Sequence, residues 1–252
     1  MSTILVTGGT GNLGALVVDR LRARGHEVRA LSRGSAAYPV DLRDGRGLDA
    51  AMSGAQVVVH CASSPRGGDD VAAGHLIAAA RRAGTVTNLV YISIVGVDVV
   101  PFGYYRTKLR VERMLEDSGL GVTILRTTQF HDLVAQATAT LAKLPVVPLP
   151  KGVPVQPIAV EEVADRLAEL AAADPAGRVA DLGGPEVRTL EEWGREFLAA
   201  TGSRRRVLPV PLAGRTYAAF RRGGILAAPG RAVGRGTFGA YLERRGRGAG
   251  RR

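Results

Sequence analysis

Eight residues near the start of the chain restrict its fold more than any others. The string Thr7-Gly8-Gly9-Thr10-Gly11-Asn12-Leu13-Gly14 follows the apolar run Ile4-Leu5-Val6 and precedes Ala15-Leu16-Val17-Val18-Asp19-Arg20-Leu21, whose apolar residues recur at helical spacing. Strand, glycine turn and helix in that order are the setting a dinucleotide-binding fingerprint requires. Gly8, Gly11 and Gly14 are spaced three apart. Gly8 is expected to take the positive φ of a tight turn, Gly11 to let the backbone approach a pyrophosphate, and Gly14 to let the helix lie close on the sheet. The amides of Thr10, Gly11, Asn12 and Leu13 then lead into a helix start, where free N–H groups and the helix dipole favour an anion.

The chain has 252 residues, enough for one α/β domain or for such a domain with a small appendage. One cysteine, Cys61, rules out an internal disulfide. No apolar segment reaches the length of a membrane span, and the first residues enter a strand without a basic leader. The expectation is a soluble, cytoplasmic protein with no membrane partner. A net charge of +11 raises a nucleic-acid reading. The charge is localised: residues 204–252 hold 13 Arg against the single acid Glu243, so the nucleotide-binding part is close to neutral. No nucleic-acid-reading motif accompanies that basic stretch. The Arg/Gly run 244–252 has no apolar periodicity and is expected to be a disordered, solvated tail, with no specific nucleic-acid partner.

Helix one should end at Gly25, and His26 to Leu31 reads as the second strand. At its end an NAD site places an acid that accepts from the ribose 2′-hydroxyl, whereas a 2′-phosphate requires a cation. Ser32-Arg33 stands there and no acid does. A guanidinium matches phosphate geometry, so NADP is expected in preference to NAD; the alternative is a surface arginine in an arginine-rich chain. Val40 to Asp44 reads as a short third strand, with Asp44 capping the next helix. Gln56 to Ala62 is a continuous apolar strand, and Ala62-Ser63 beyond it should pass over the ribose and nicotinamide side of the cofactor. Cys61 and His60 read as core residues. Asp69 to Ala83, closed by Gly84, is the following helix, with Leu76, Ile77 and Ala80 on its buried stripe.

After the strand Leu89 to Ser93, the segment Tyr104-Tyr105-Arg106-Thr107-Lys108 opens a helix that puts Tyr104 and Lys108 on one face. A phenol of pKa near 10 is a poor acid-base group at neutral pH, and a neighbouring ammonium would lower that pKa. Lys108 is expected to do so and to bind the nicotinamide ribose as well. The alternative is that Lys108 pairs with Glu112, four residues on, while Tyr104 packs in the core. The loop after the sixth strand, with Gln129, Phe130 and His131, should border the substrate at the carboxyl ends of the strands. Phe130 would stack on a flat substrate, and Gln129 or His131 would orient a carbonyl.

The glycine string, Ser93-Ile94-Val95-Gly96, Tyr104-Tyr105-Arg106-Thr107-Lys108, Glu112 and Thr123-Ile124-Leu125-Arg126-Thr127-Thr128-Gln129-Phe130 together resemble the NmrA-like, atypical branch of the short-chain dehydrogenase/reductase family. The resemblance runs to about residue 200. It implies that Asp41 and Leu42 contact the adenine and that Tyr104, Lys108 and Ser93 are the catalytic residues. In the wider superfamily the serine sits a little deeper in the strand end, where Ile94-Val95 stand here. Some NmrA-like proteins bind the dinucleotide and catalyse nothing.

Five prolines between Pro145 and Pro157 break helices and carry the chain into a second lobe. There an amphipathic helix is expected from Ile158, a strand at Val179 to Leu182, and a capping box at Thr189 to Glu192. A strand from Val207 to Leu212 and short helices near Tyr217 and Tyr241 complete the lobe. No metal-ligand cluster is visible. The expected architecture is an α/β, doubly wound parallel Rossmann-type sheet over residues 1–150 and a smaller, partly interleaved substrate lobe over 151–243. The expected function is an NADPH-dependent oxidoreductase passing hydride to a small carbonyl or quinone. The alternative is a non-catalytic dinucleotide sensor.

Overall fold

The computed structural model describes residues 1–64, 67–228 and 234–249. A six-stranded sheet is built from β1 (Thr3–Thr7), β2 (Glu27–Leu31), β3 (Val57–His60), β4 (Asn88–Ile94), β5 (Val122–Thr127) and β8 (Gly177–Arg178), in the order β2-β1-β3-β4-β5-β8. β1 runs parallel to β2 and to β3, β3 to β4, and β5 to β8. Parallel strands need crossovers. α1 (Asn12–Ala23), α3 (Asp69–Ala83) and α4 (Gly103–Glu116) supply them, with the short α2 (Leu48–Met52) before β3. The fold is the expected α/β Rossmann type. The strand order reverses between β1 and β3, which puts a crevice at the carboxyl ends of those two strands.

Packing of this sheet follows from its sequence. All four residues of β3 are buried, as a strand covered on both faces requires. Leu5, Val58, Leu89 and Tyr91 from the strands meet Leu76 of α3 and Leu115 of α4 in one core cluster. Each such side chain contributes roughly 1.5–3 kcal/mol of burial free energy.

The chain divides into two units, the first comprising 1–93, 103–126 and 163–180, the second 94–102, 127–162 and 181–252. In the second unit β6 (Val146–Pro150) pairs in parallel with β10 (Arg206–Val210), and β7 (Pro154–Val155) pairs antiparallel with β9 (Arg188–Thr189). The proline-rich stretch thus forms strands, and β6 tolerates its prolines because among the described residues it pairs with one strand, leaving an open edge. α7 (Leu190–Ala200) begins at a complete capping box between Thr189 and Glu192. Its Trp193 is buried, donates Nε1–H to the Val155 carbonyl at 3.1 Å, and meets the Phe238 ring edge-on. α6 (Val160–Ala171) and α8 (Arg215–Arg221) lie where helices are expected, whereas α5 (His131–Leu141) was not foreseen.

Four expectations are corrected. Residues 40–44 do not form a strand: Pro39 makes a single bridge to Ser32. The Asp41 and Asp44 carboxylates accept from the amides of Arg43 and Arg46, turning the chain locally in competition with a ladder. Gly47, not Asp44, precedes α2. The strand foreseen at Val179 to Leu182 does not form: the two-residue β8 ends before it at Arg178, and only Leu182 makes a bridge, to Thr127. Finally, α9 (Phe238–Ala249) continues through the first part of the Arg/Gly run foreseen as disordered, while 250–252 lie outside the described residues. No helix among the described residues is long and apolar enough to cross a membrane.

Candidate functional site

The glycine loop joins β1 to α1. Gly8 has φ +66°, and a Cβ there would stand 2.9 Å from the Ala62 nitrogen, so loop and β3 end approach as only a glycine allows. Gly11 donates to the Gly8 carbonyl at 2.9 Å and caps α1 in an extended conformation without any side-chain cap, which leaves first-turn amides free of side-chain acceptors. A Cβ on Gly14 would lie 2.1 Å from the Gly8 oxygen, so its smallness serves the loop itself, whereas Gly11 has only that oxygen nearby, at 3.2 Å. Gly9, which the spacing argument passed over, would clash with Ala30 of β2 at 2.8 Å.

Around this loop opens a cleft of about 380 Å³, a volume suited to a small ligand or part of a cofactor. Gly8, Thr10, Gly11, Ser32, Arg33, Asp41, Leu42, Ala62 and Ser63 line it, all foreseen as cofactor residues. Asn12, Leu13, Gly14 and Lys108 do not; Leu13 packs its side chain in the core. Thr10 Oγ1 donates to Ser32 Oγ at 2.8 Å, linking loop and β2 end. Arg33 is exposed on the rim with its guanidinium unengaged, a cation at the place a 2′-phosphate requires one. A second cation, Arg43, also lines the cleft and reaches across to Ser64 Oγ (3.0 Å) and the Gly67 carbonyl (2.7 Å). Nothing in its spacing marked it. The glycine loop, the cations Arg33 and Arg43 beside the acids Asp41 and Asp69, and the apolar Leu42 line a cleft that fits an NAD(P)-type dinucleotide.

The floor beyond β3 is fixed by a buried contact. Thr7 Oγ1 lies 2.7 Å from His60 Nδ1 and accepts from the Ala62 amide at 3.2 Å. His60 stacks on Tyr91 with ring centroids 5.3 Å apart, and burial, aided by the Lys108 charge, pushes its pKa down to about 3. Burial likewise pushes the Cys61 thiol up to about 12, which leaves it unreactive at neutral pH.

Tyr104 and Lys108 share a face of α4, as foreseen, but their partners differ from expectation. Ser63 Oγ donates to Asp69 Oδ2 at 2.6 Å; because a hydroxyl has one proton, the Tyr104 O–H must donate to Ser63 Oγ, 2.7 Å away. Asp69 Oδ1 accepts from the Ser64 amide at 2.8 Å. The Lys108 ammonium is 3% exposed, lies 3.8 Å from Asp69 Oδ2, donates to the Ile92 carbonyl at 3.4 Å and sits 4.9 Å from the Tyr91 ring centre. The alternative pairing of Lys108 with Glu112 is excluded, since Glu112 is held by both arms of Arg126 at 2.6 and 2.8 Å. Burial lowers the Lys108 pKa, against the attraction of Asp69. The Tyr104 pKa is raised, chiefly by burial, and not lowered as the sequence suggested. Asp69, the acid in this group, had read simply as a helix start.

Ser93 is buried in β4 and its hydroxyl has no hydrogen-bond partner among the described residues, so the structure does not join it to Tyr104; the serine at the Tyr104 hydroxyl is Ser63. In the second unit, Gln129 and Phe130 precede α5, both half-buried. His131 is 1% exposed, donates Nε2–H to the Pro157 carbonyl and packs against Phe238 and Tyr241, which makes it a structural residue instead of a substrate contact.

A family model described as NAD(P)H-binding matches residues 8–174. The chain belongs to this NAD(P)H-binding family. The match begins at the turn glycine, Gly8, and includes the Tyr104 and Lys108 segment. An uncharacterised protein of Mycobacterium tuberculosis is 34% identical over 154 residues, 58% of this chain and 17% of the relative. Quinone oxidoreductase 2 of Escherichia coli is 29% identical over 152 residues, covering 55% of this chain and 53% of that protein. The chain thus matches only about a sixth to a half of the length of these relatives. Among solved structures, an NADPH-dependent quinone oxidoreductase from Escherichia coli complexed with NADPH superposes with a TM-score of 0.82 at 20% identity, covering 96% of this chain and 99% of that one. At that identity the likeness is one of fold.

Proposed function

We propose that this NAD(P)H-binding chain is an NADPH-dependent oxidoreductase of the cytoplasm, acting on a small carbonyl or quinone. The observation that carries the reading is the Tyr104 hydroxyl, hydrogen-bonded at 2.7 Å to a serine that itself lines the dinucleotide cleft. A reduced nicotinamide, when bound, supplies the hydride for such a reduction. Thr10, Gly11, Asn12, Leu13 and Gly14 hold the pyrophosphate through loop amides, Ser32 and Arg33 hold the 2′-phosphate, and Asp41 and Leu42 hold the adenine. Tyr104 delivers a proton to the substrate oxygen, Ser63 steadies its hydroxyl, and Lys108, buried and off the cleft lining, acts on this group through its charge pair with Asp69 in place of the ribose contact expected of it. Gln129 and Phe130 remain the proposed substrate contacts. The printed activity of the similar Escherichia coli proteins supports a quinone or a related carbonyl as acceptor.

One observation favours a second reading, a dinucleotide sensor without turnover: Ser93 is buried and unengaged. A screen of NADPH oxidation against quinones, aldehydes and ketones separates the two. Acceptor-dependent oxidation is expected; tight NADPH binding with no turnover across the panel would establish the sensor.

A further inference from the structure

Tyr104 is the half-buried end of a chain of groups that begins at a buried acid. Asp69, 5% exposed at the first turn of α3, takes the proton of Ser63, and Ser63 takes that of Tyr104. The same carboxylate oxygen faces Lys108 at 3.8 Å. A buried ammonium requires a counter-charge, and the other acid within reach on α4, Glu112, is committed to Arg126. Asp69 is therefore shared between the two residues of α4 to which the catalytic reading assigns roles.

We propose that Asp69 is a positioning residue for Tyr104: its carboxylate balances Lys108 and anchors the Ser63 hydroxyl, and together these hold Tyr104 as a neutral, directed phenol. The proposal rests on the reading of Tyr104 as a proton donor and adds the device that keeps it protonated. Around Tyr104 stand Asp69 of α3, Ser63 beyond β3, Tyr91 of β4 and, on its own helix, Tyr105 and Lys108, whose ammonium is 6.0 Å from the Tyr104 ring centre. Around Lys108 stand Asp69, Glu112, Cys61 and His60. The nearest formal charges are thus one cation and one anion in contact with each other, so the ammonium acts on the phenol with its field largely cancelled. Burial and Asp69 both oppose the phenolate, whereas a Ser63 hydroxyl turned toward it would favour it, and the raised Tyr104 pKa is consistent with that balance. A phenol that keeps its proton at neutral pH has one to give to a nascent alkoxide. A site that stored a phenolate would be arranged to take one.

The test is a titration of Tyr104 by carbon-13 NMR in the full chain with labelled tyrosine ring carbons and no dinucleotide present, the resonance being assigned with Tyr104→Phe. Asp69→Asn keeps the shape of the side chain and removes its charge. The Tyr104 midpoint should fall by about one pH unit or more, the size of an uncompensated neighbouring charge. A midpoint at or above that of the parent would overturn the proposal. Ser63→Ala leaves the buried ion pair intact and decides the matter should Asp69→Asn not fold: the phenol loses the acceptor that Asp69 holds in place, so the midpoint should not rise, and a rise would show the Ser63 proton serving a phenolate and overturn the proposal. Asp69→Glu should return the midpoint toward the parent. In NADPH-dependent turnover the alkaline loss of rate should begin at lower pH in Asp69→Asn. A parent that reduces nothing would sink the oxidoreductase reading, while the NMR titration judges the role of Asp69 independently of turnover.

Discussion

Arg33 stands exposed on the cleft rim, and the Asp41 carboxylate that shares the cleft accepts from the Arg43 amide at 3.0 Å. A charge-assisted hydrogen bond is worth roughly 1.5–3 kcal/mol, so Arg33→Asp should weaken NADPH about tenfold or more and leave NADH less affected. Equal affinities for the two cofactors in the parent would remove the role given to Arg33. Tyr104→Phe keeps the ring and deletes the one atom that bonds Ser63. Loss of a general acid typically costs about 10²–10⁴-fold in rate, and here it should fall on turnover while NADPH affinity is retained. Carbonyl substrates test this best, since quinones accept hydride with less need of a protein acid. Unaltered carbonyl reduction by Tyr104→Phe would end its catalytic role.

At the scale of elements, the glycine loop is the part most legible in the sequence, because strand, turn and helix each carry a local signal. The helix Asp69–Ala83 with its Gly84 cap and the capping box of α7 were legible for the same reason. The third strand was not: Val40 to Asp44 alternates acceptably, but the Asx turns of Asp41 and Asp44 outcompete a ladder. Asp69 was unreadable as a site residue because its partners Ser63, Lys108 and Tyr104 come from two other segments, and only the parallel packing of β3 and β4 brings them together. The loop makes a graded prediction. Gly14→Ala must displace the Gly8 carbonyl, so it should destabilise the fold and abolish NADPH binding together. Gly11→Val meets only one oxygen, so the protein should fold and fail to bind. Thermal melting read beside binding distinguishes these outcomes, and a folded Gly11→Val that binds like the parent would contradict the cradle.

For the whole molecule, the buried histidines set a pH dependence. His60 is held neutral, with its pKa moved from 6.5 to about 3, and burial lowers that of His131 in the same sense. Unfolded histidine takes up a proton below about pH 6.5 while folded His60 does not, so acid favours the unfolded chain, and stability falls progressively from that pH toward pH 3. At about 1.4 kcal/mol per unit the loss amounts to several kcal/mol. His60→Gln should flatten the acid side of a plot of melting temperature against pH; an unchanged slope would show that His60 does not control it. Net charge is the part of the molecule least informative about function, since the basic excess of 204–252 includes arginines of an ordinary helix, α9. The claim on which everything else depends is that the cleft between the glycine loop and Ala62-Ser63 holds NADP. Equilibrium titration of the parent with NADPH, followed by the fluorescence of the reduced nicotinamide, tests it directly. The account predicts saturable binding of one NADPH per chain, tighter than NADH by about tenfold or more; absence of saturable binding by either dinucleotide would contradict it.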